Sequence, residues 1–405
     1  MEPTALRPYP VPELSPRDAQ RLTWARSVVS AMSPAEKIAQ LHQYAPGVER
    51  LDIGPFVTGT EGLHGVAWKG PSTQFPQPAG MAASWDPELL RRAAAVVAAE
   101  VRTMHEADPR VSLDVWAPVV NPLRHPRWGR SEEAYTEDPL LNGELACGFS
   151  AGLRGDGDTW TTMPTLKHFL AYSNETDRDA TSSDLSPRVL HEYELPGHIT
   201  PLVRGCAGSV MLSYNLVNGR PAHLTELLER ELRSRLADPD LLFVVSDAGA
   251  PSNLFRSQKV VVDAAEAYAA MLRAGVDSFT DNDTDPTETI AALDEALDRG
   301  LIEQDHLDRA VVRQLVARAR TGEFEKLPGV AGTAESEHIS TSASISRWSS
   351  PGAGAAAESP AHVAADPSSA RSARHASPAR SPRAPPSCSP GVTPPRFRCH
   401  PGPPR

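Results

Sequence analysis

Cysteine is scarce in this chain and badly placed for pairing along the sequence. Cys147, Cys206, Cys388 and Cys399 make no CxxC spacing and no dense pattern, which argues against a zinc knuckle or a disulfide framework and suits a reducing compartment. Positive charge is short as well. Forty Lys and Arg face 51 Asp and Glu, a formal net charge of -11, so neither nucleic acid nor an anionic membrane is the expected partner. No apolar run is long enough to span a bilayer. The first residues, MEPTALRPYPVPEL, lack a charged start followed by an apolar stretch, so no secretory signal is expected and the expected location is cytoplasmic. HExxH, GxxxxGK[ST] and an early glycine fingerprint after a strand are missing too, leaving metal, phosphate and dinucleotide chemistry without support. No cofactor is implied.

From about Ser15 to Leu327 helix-like and strand-like stretches alternate, with Pro and Gly at the joints, an α/β pattern. Amphipathic spacing predicts helices over Pro87 to His105 and Thr289 to Arg299. Short apolar runs predict strands at Leu113 to Pro118, Met163 to Phe169, Ser209 to Tyr214, Leu241 to Ser246 and Gly275 to Phe279. Polar clusters follow these runs. In a barrel of parallel strands the loops after the strand ends share one face, so the expected architecture is a (β/α)8 TIM-type barrel.

Within LLFVVSDAGA, Asp247 follows a strand directly and is the one charged residue of the segment. A carboxylate there is either a poised nucleophile or the cap of a following helix, and capping is the commoner role. LKHFLAYSNETDR places Lys167 and His168 at the end of another strand, ahead of Asn174, Glu175, Asp177 and Arg178. PVVNPLRHPRWGRSEEAYTEDP gathers Arg124, Arg127, Arg130, Glu132, Glu133, Glu137 and Asp138 around Trp128, a density that internal ion pairing explains on its own. TEGLHGVAW holds Glu61 and His64 beside Trp68, and SVMLSYNLVNG holds Met211 and Tyr214 before an Asn-Gly turn. Aromatic faces next to carboxylates suit a sugar, because rings stack on C–H faces while carboxylates accept from hydroxyls.

Taken in order, these segments resemble glycoside hydrolase family 3. The order runs MSPAEKIAQL, EGLHG, FPQPAGMAASWDPEL, RHPRWGR with a following EDP, KHF, NETDR, SYNLVNG and VVSD, over roughly residues 20 to 325. The resemblance implies a barrel with Asp247 as the nucleophile of a retaining mechanism. By the same match Glu61, Arg130, Lys167, His168, Tyr214 and Met211 line the pocket for the terminal sugar. The expected substrate is a small oligosaccharide or glycoside. Two departures stand out: Ala248 follows Asp247 where the family often has Trp, and Glu61 replaces the Asp common in glucosidases, a lean toward the xylosidase branch. The general acid that some bacterial members carry on a KHFPGHG-like loop is not matched, since FLAYSNE follows His168.

After about Gly329 the composition changes. Residues 331–405 contain no Leu, Tyr or Lys and carry eight Arg against four acidic residues, a mixture that buries no core. The expected organisation is therefore an extension over 1–19, a barrel over 20–328 and a disordered low-complexity tail over 329–405. A retaining glycosidase needs two carboxyl groups roughly 5 Å apart, and in most of this family the second comes from a following sandwich domain, which should begin where the tail does. Frameshift or truncation is the preferred reading of the tail. The expected activity is hydrolysis of terminal β-linked xylosyl or glucosyl residues, slowed roughly 10²- to 10⁴-fold for want of the general acid. The alternative is a catalytically silent sugar-binding remnant.

Overall fold

The computed structural model describes residues 11–324. Five of the eleven described α-helices start in the same way, with a Ser or Asp whose side chain accepts from the first free amides and a Pro at the start of the helix. Ser15 accepts from the Asp18 amide at 3.1 Å to open Pro16–Ala31. Asp86 accepts from Glu88 and Leu89, both at 3.0 Å, to open Pro87–Ala107. Asp138 accepts from Leu141 at 2.7 Å to open Pro139–Arg154. In the second of these helices Leu90, Ala94, Val97, Ala98 and Val101 are buried, one stripe at helical spacing facing the sheet side.

Four parallel strands form the sheet that these helices wrap. Asp114–Val115, Met163–Phe169, Ser209–Leu212 and Phe243–Val245 lie side by side in that order, with Asp114 opposite Met163, Leu166 opposite Val210, and Val210 opposite Val244. Single bridges continue the pairing from Val245 to Ser278, from Phe279 to His42, and from Thr60 to Val115. Tyr44–Ala45 pairs antiparallel with Phe56–Val57 and completes the circuit. The pairings therefore run full circle, and the chain is a TIM-type barrel. Gly59, at φ 96°, makes the turn between the antiparallel Val57 and the parallel Thr60, and a Cβ there would sit 2.2 Å from the Trp116 ring. Only glycine fits.

The predicted strand at Gly275 to Phe279 is present only as two bridges. The reason is Asp277, whose Oδ2 accepts from the Val244 amide at 2.9 Å and so occupies a donor that a strand's carbonyl would otherwise take. The helix predicted from Thr289 spans Thr287–Asp298, and Leu241, assigned to a strand, ends a short 3-10 turn over Pro239–Leu241.

The first and last described helices close on each other through buried charge. Arg320 donates to both oxygens of Asp18, at 3.1 and 2.9 Å, so the expected domain boundary at residue 20 falls inside a helix that belongs to the barrel. The expected tail, 329–405, lies outside the described residues. Burial works against the Asp18 carboxylate, but hydrogen bonds and charge from Arg320 and Arg21 outweigh it and hold the carboxyl at about 2. Asp18→Asn is expected to lower the unfolding free energy at pH 7 by about 1–2 kcal/mol. A carboxyl depressed in the folded state stabilises above its unfolded pKa of roughly 3.9 and loses that contribution as the pH falls toward 2. Urea unfolding of the two proteins should converge over that range, and an undiminished gap at about pH 2.5 would exclude the pairing.

Candidate active site

The C-terminal ends of the ring strands point to one mouth, and that is where the singled-out side chains come together. Glu61 follows the bridged Thr60, Asp247 stands two residues beyond Val245, and Tyr214 stands two beyond Leu212. Adjacent residues in a regular strand face opposite ways, which makes Lys167 and His168 an unlikely pair in the abstract. The ladder slips between Leu166 and Phe169, and both side chains reach the same site. Arg130 arrives from the long loop after Val119, itself bridged to Lys167.

Three linked pairs organise the mouth. Lys167 Nζ donates to both oxygens of Glu61 at 2.8 and 2.7 Å. Arg130 grips Glu133 through Nε and an Nη, at 2.6 and 2.7 Å, and the same Nη donates to His168 Nε2 at 3.1 Å. His168 is further fixed by Asn121, whose Oδ1 accepts from the His168 amide at 2.8 Å and whose Nδ2 donates to its carbonyl at 2.9 Å. With Nε2 accepting from Arg130, the network assigns the ring proton to Nδ1, 3.3 Å from Asn121 Oδ1. Burial, then the charges of Arg130 and Lys167, push His168 well below its usual range, so the ring is neutral.

Asp247 sits beside these pairs, 8% exposed. Its Oδ1 accepts from the Ala248 amide at 2.8 Å. Its Oδ2 has no hydrogen-bond partner among the described residues and lies 3.9 Å from His168 Nε2. The Tyr214 hydroxyl donates to the Ala248 carbonyl at 2.9 Å. Burial pushes the Asp247 carboxyl up, while the Ala248 amide, Tyr214, Lys167 and Arg130 pull it back. The arrangement offers one free carboxylate oxygen, ringed by cations and acceptors that are themselves held in place.

An aromatic wall flanks the group. Trp128, Tyr172 and Tyr214 meet edge to face, with ring centres 6.1 Å apart at each step. Glu175 ties the wall together, accepting from Trp128 Nε1 at 2.9 Å and from the Tyr172 hydroxyl at 2.8 Å. Arg178 lies 4.1 Å over the Tyr214 ring. Sequence reasoning gave no role to Asn121 or Tyr172, although both stand in the segments it quoted. Met211 pairs in the ladder with Val245, two residues before Asp247, and is buried in an apolar cluster with Trp160, Met163 and Phe243.

Asp247→Asn keeps the hydrogen bond from Ala248 and removes the cost of a buried charge. A carboxyl raised by folding contributes its full stability below its unfolded pKa and loses it as the pH rises through the folded value. The variant should therefore melt roughly 2–4 °C above the parent at pH 7, with the difference vanishing below about pH 4. Calorimetry across pH checks this, and a variant less stable at pH 7 would contradict it.

Comparison with known proteins identifies the family. The sequence pattern of the glycosyl hydrolase family 3 N terminal domain matches residues 25–317. A probable exo-1,4-beta-xylosidase of Aspergillus clavatus is 36% identical over 337 residues, 78% of this chain and 43% of that protein. The xylan 1,4-beta-xylosidase of Xylanibacter ruminicola is 32% identical over 335 residues, 78% of this chain and 37% of that one. Among solved structures, a GH3 exo-beta-xylosidase bound to a xylobiose aziridine probe aligns with a TM-score of 0.69 at 26% identity, covering 77% of this chain and 42% of the other. Beta-glucosidase 3B from Thermotoga neapolitana in complex with glucose aligns with a TM-score of 0.62 at 25% identity, covering 75% and 43%. The chain thus spans less than half the length of these relatives. The family pattern and these identities show that the chain belongs to glycosyl hydrolase family 3 and carries its N-terminal domain.

Proposed function

We propose that this domain binds the terminal sugar of a β-linked oligosaccharide or glycoside, xylosyl or glucosyl in type, and attacks its anomeric carbon with Asp247 in a retaining hydrolysis. The observation that carries the reading is the unpartnered Oδ2 of Asp247, held beside Lys167, Arg130, His168 and Tyr214. A covalent nucleophile needs a free lone pair and fixed neighbours. The Glu61 carboxylate, oriented by Lys167 through both oxygens, keeps lone pairs for sugar hydroxyls. The Arg130 guanidinium, held by Glu133 and neutral His168, adds a donor group on the other side. A wrong sugar epimer would leave these buried groups unpaired, which is the strongest form of rejection available to a polar pocket. The xylosidase names of the relatives and the Glu at position 61 favour xylose.

The proton for the leaving group has no obvious source at the mouth. Glu133 is engaged by Arg130 through both oxygens, and both oxygens of Glu175 already accept hydrogen bonds. Neither is arranged as a donor. Turnover by these residues alone should therefore depend steeply on the leaving group, with alkyl glycosides roughly 10²- to 10⁴-fold slower relative to an enzyme with a positioned acid, and dinitrophenyl glycosides affected far less.

A 2-deoxy-2-fluoro-β-xyloside or -glucoside with a dinitrophenyl leaving group tests the proposal. Asp247 should become covalently glycosylated, as read by peptide mass, and Asp247→Asn should abolish labelling while leaving xylose or glucose binding within about threefold. Sugar binding without labelling would instead identify a silent sugar-binding domain, and neither binding nor labelling would reject the site.

A further inference from the structure

Cys147 and Cys206 stand 59 positions apart, and the fold brings their sulfurs to 2.8 Å. That is less than about 1 Å beyond a disulfide bond length. Cys147 lies in the Pro139–Arg154 helix, and Cys206 lies in the turn after the Pro196–Val203 helix. The two helices pack unusually closely because Gly143 faces Thr200, where a Cβ would come within 2.8 Å of the threonine oxygen. Cys206 is anchored in turn by its amide, which donates to the Pro201 carbonyl at 2.8 Å. Arg204, bound to Glu144 at 2.6 and 2.7 Å, fixes the same corner.

We propose that Cys147 and Cys206 form a reversible disulfide that clasps these two helices. The pair is free as described, and a low-molecular-weight disulfide such as oxidised glutathione is the oxidant required. Cys206, the more exposed member, gives up its proton and attacks one glutathione sulfur, breaking the glutathione disulfide and releasing the first glutathione as its thiolate. Cys147 then loses its proton and attacks Cys206 Sγ, breaking the mixed disulfide and expelling the second glutathione. Two protein thiols are oxidised, one glutathione disulfide is reduced, and the two protons end on the two glutathione thiolates. In the resting pair the shared hydrogen bond pulls the Cys147 thiol down and pushes Cys206 up; once Cys206 carries glutathione that hydrogen bond is gone, and the Arg204 charge remains to favour the Cys147 thiolate in the second step.

The bridge would close a loop that contains the Met163–Phe169 strand, with Lys167 and His168, and the Glu175 hub. Closing a loop of this length restricts the unfolded chain more than the folded one. The full chain should be equilibrated in glutathione buffers from reducing to oxidising, alkylated under denaturing conditions without reduction, and mapped by peptide mass. The expected result is a cross-linked pair of peptides containing Cys147 and Cys206, with a Tm raised by roughly 5–10 °C and restored by dithiothreitol. Cys206→Ser should lose both the cross-link and the shift. Two fully alkylated thiols at the oxidising end would overturn the proposal, and so would a bridge from either residue to Cys388 or Cys399. The mapping is done on the parent protein, so it decides the matter even if the variant fails to fold.

Discussion

Where the ring of strands is thinnest, a single buried carboxylate holds it closed. Asp277 accepts from the Val244 amide, from Arg233 at 2.8 Å through Oδ2, and from Arg313 at 3.1 Å through Oδ1. Arg313 also reaches Asp240 at 3.1 Å. Burial alone pushes the Asp277 carboxyl up, and the two arginines oppose it, so the charge is tolerable only as part of the cluster. The next residues, Ser278 and Phe279, bridge to Val245 on one side and His42 on the other. Losing this carboxylate would leave Arg233 and Arg313 unmatched beside a closure otherwise held by backbone bonds, such as the Phe279 amide to the Leu41 carbonyl at 2.7 Å.

The mouth follows the opposite rule from this cluster. At the closure both oxygens of Asp277 are engaged, whereas at the mouth one carboxylate oxygen is left over. Lys167 is matched to Glu61, Arg130 to Glu133 and His168, and Glu175 to Trp128 and Tyr172. Asp247 Oδ2 alone in that group is buried without a partner, an arrangement that costs roughly 1–3 kcal/mol. Buried carboxylate oxygens without a hydrogen-bond partner also occur away from the mouth, at Asp114 and Glu194, so what sets Asp247 apart is the ring of fixed cations and acceptors around it.

Much of the barrel was legible in the sequence, and the failures have physical causes. The bounds Met163–Phe169 are legible in the sequence although Thr165, Lys167 and His168 interrupt the apolar run of this fully buried strand. The pairing of Tyr44–Ala45 with Phe56–Val57 was not seen, since two-residue strands carry no period. Gly275 to Phe279 looked like a strand until Asp277 turned its side chain into the ladder. The site residues were grouped by the order of motifs, not by their chemistry one at a time: Asp247 alone reads as a helix cap, and Lys167 with His168 should diverge. The cysteine contact was invisible for a simpler reason, as nothing along the chain announces that position 147 will meet position 206.

The helix starts described above have an implication for how such a barrel changes over time. Asp86, Asp138 and Ser186 each open a helix that follows a ring strand, on the side of the mouth. Each start is secured by its own side chain and the proline beside it, and at the first two by a hydroxyl only two residues upstream, Ser84 and Thr136. Insertions, deletions and exchanges in those loops thus leave the scaffold standing. The same short local signals that make the helices begin on cue give the rim its modularity, so that a lineage can try new substrates by editing loops while the wall behind them stays the same.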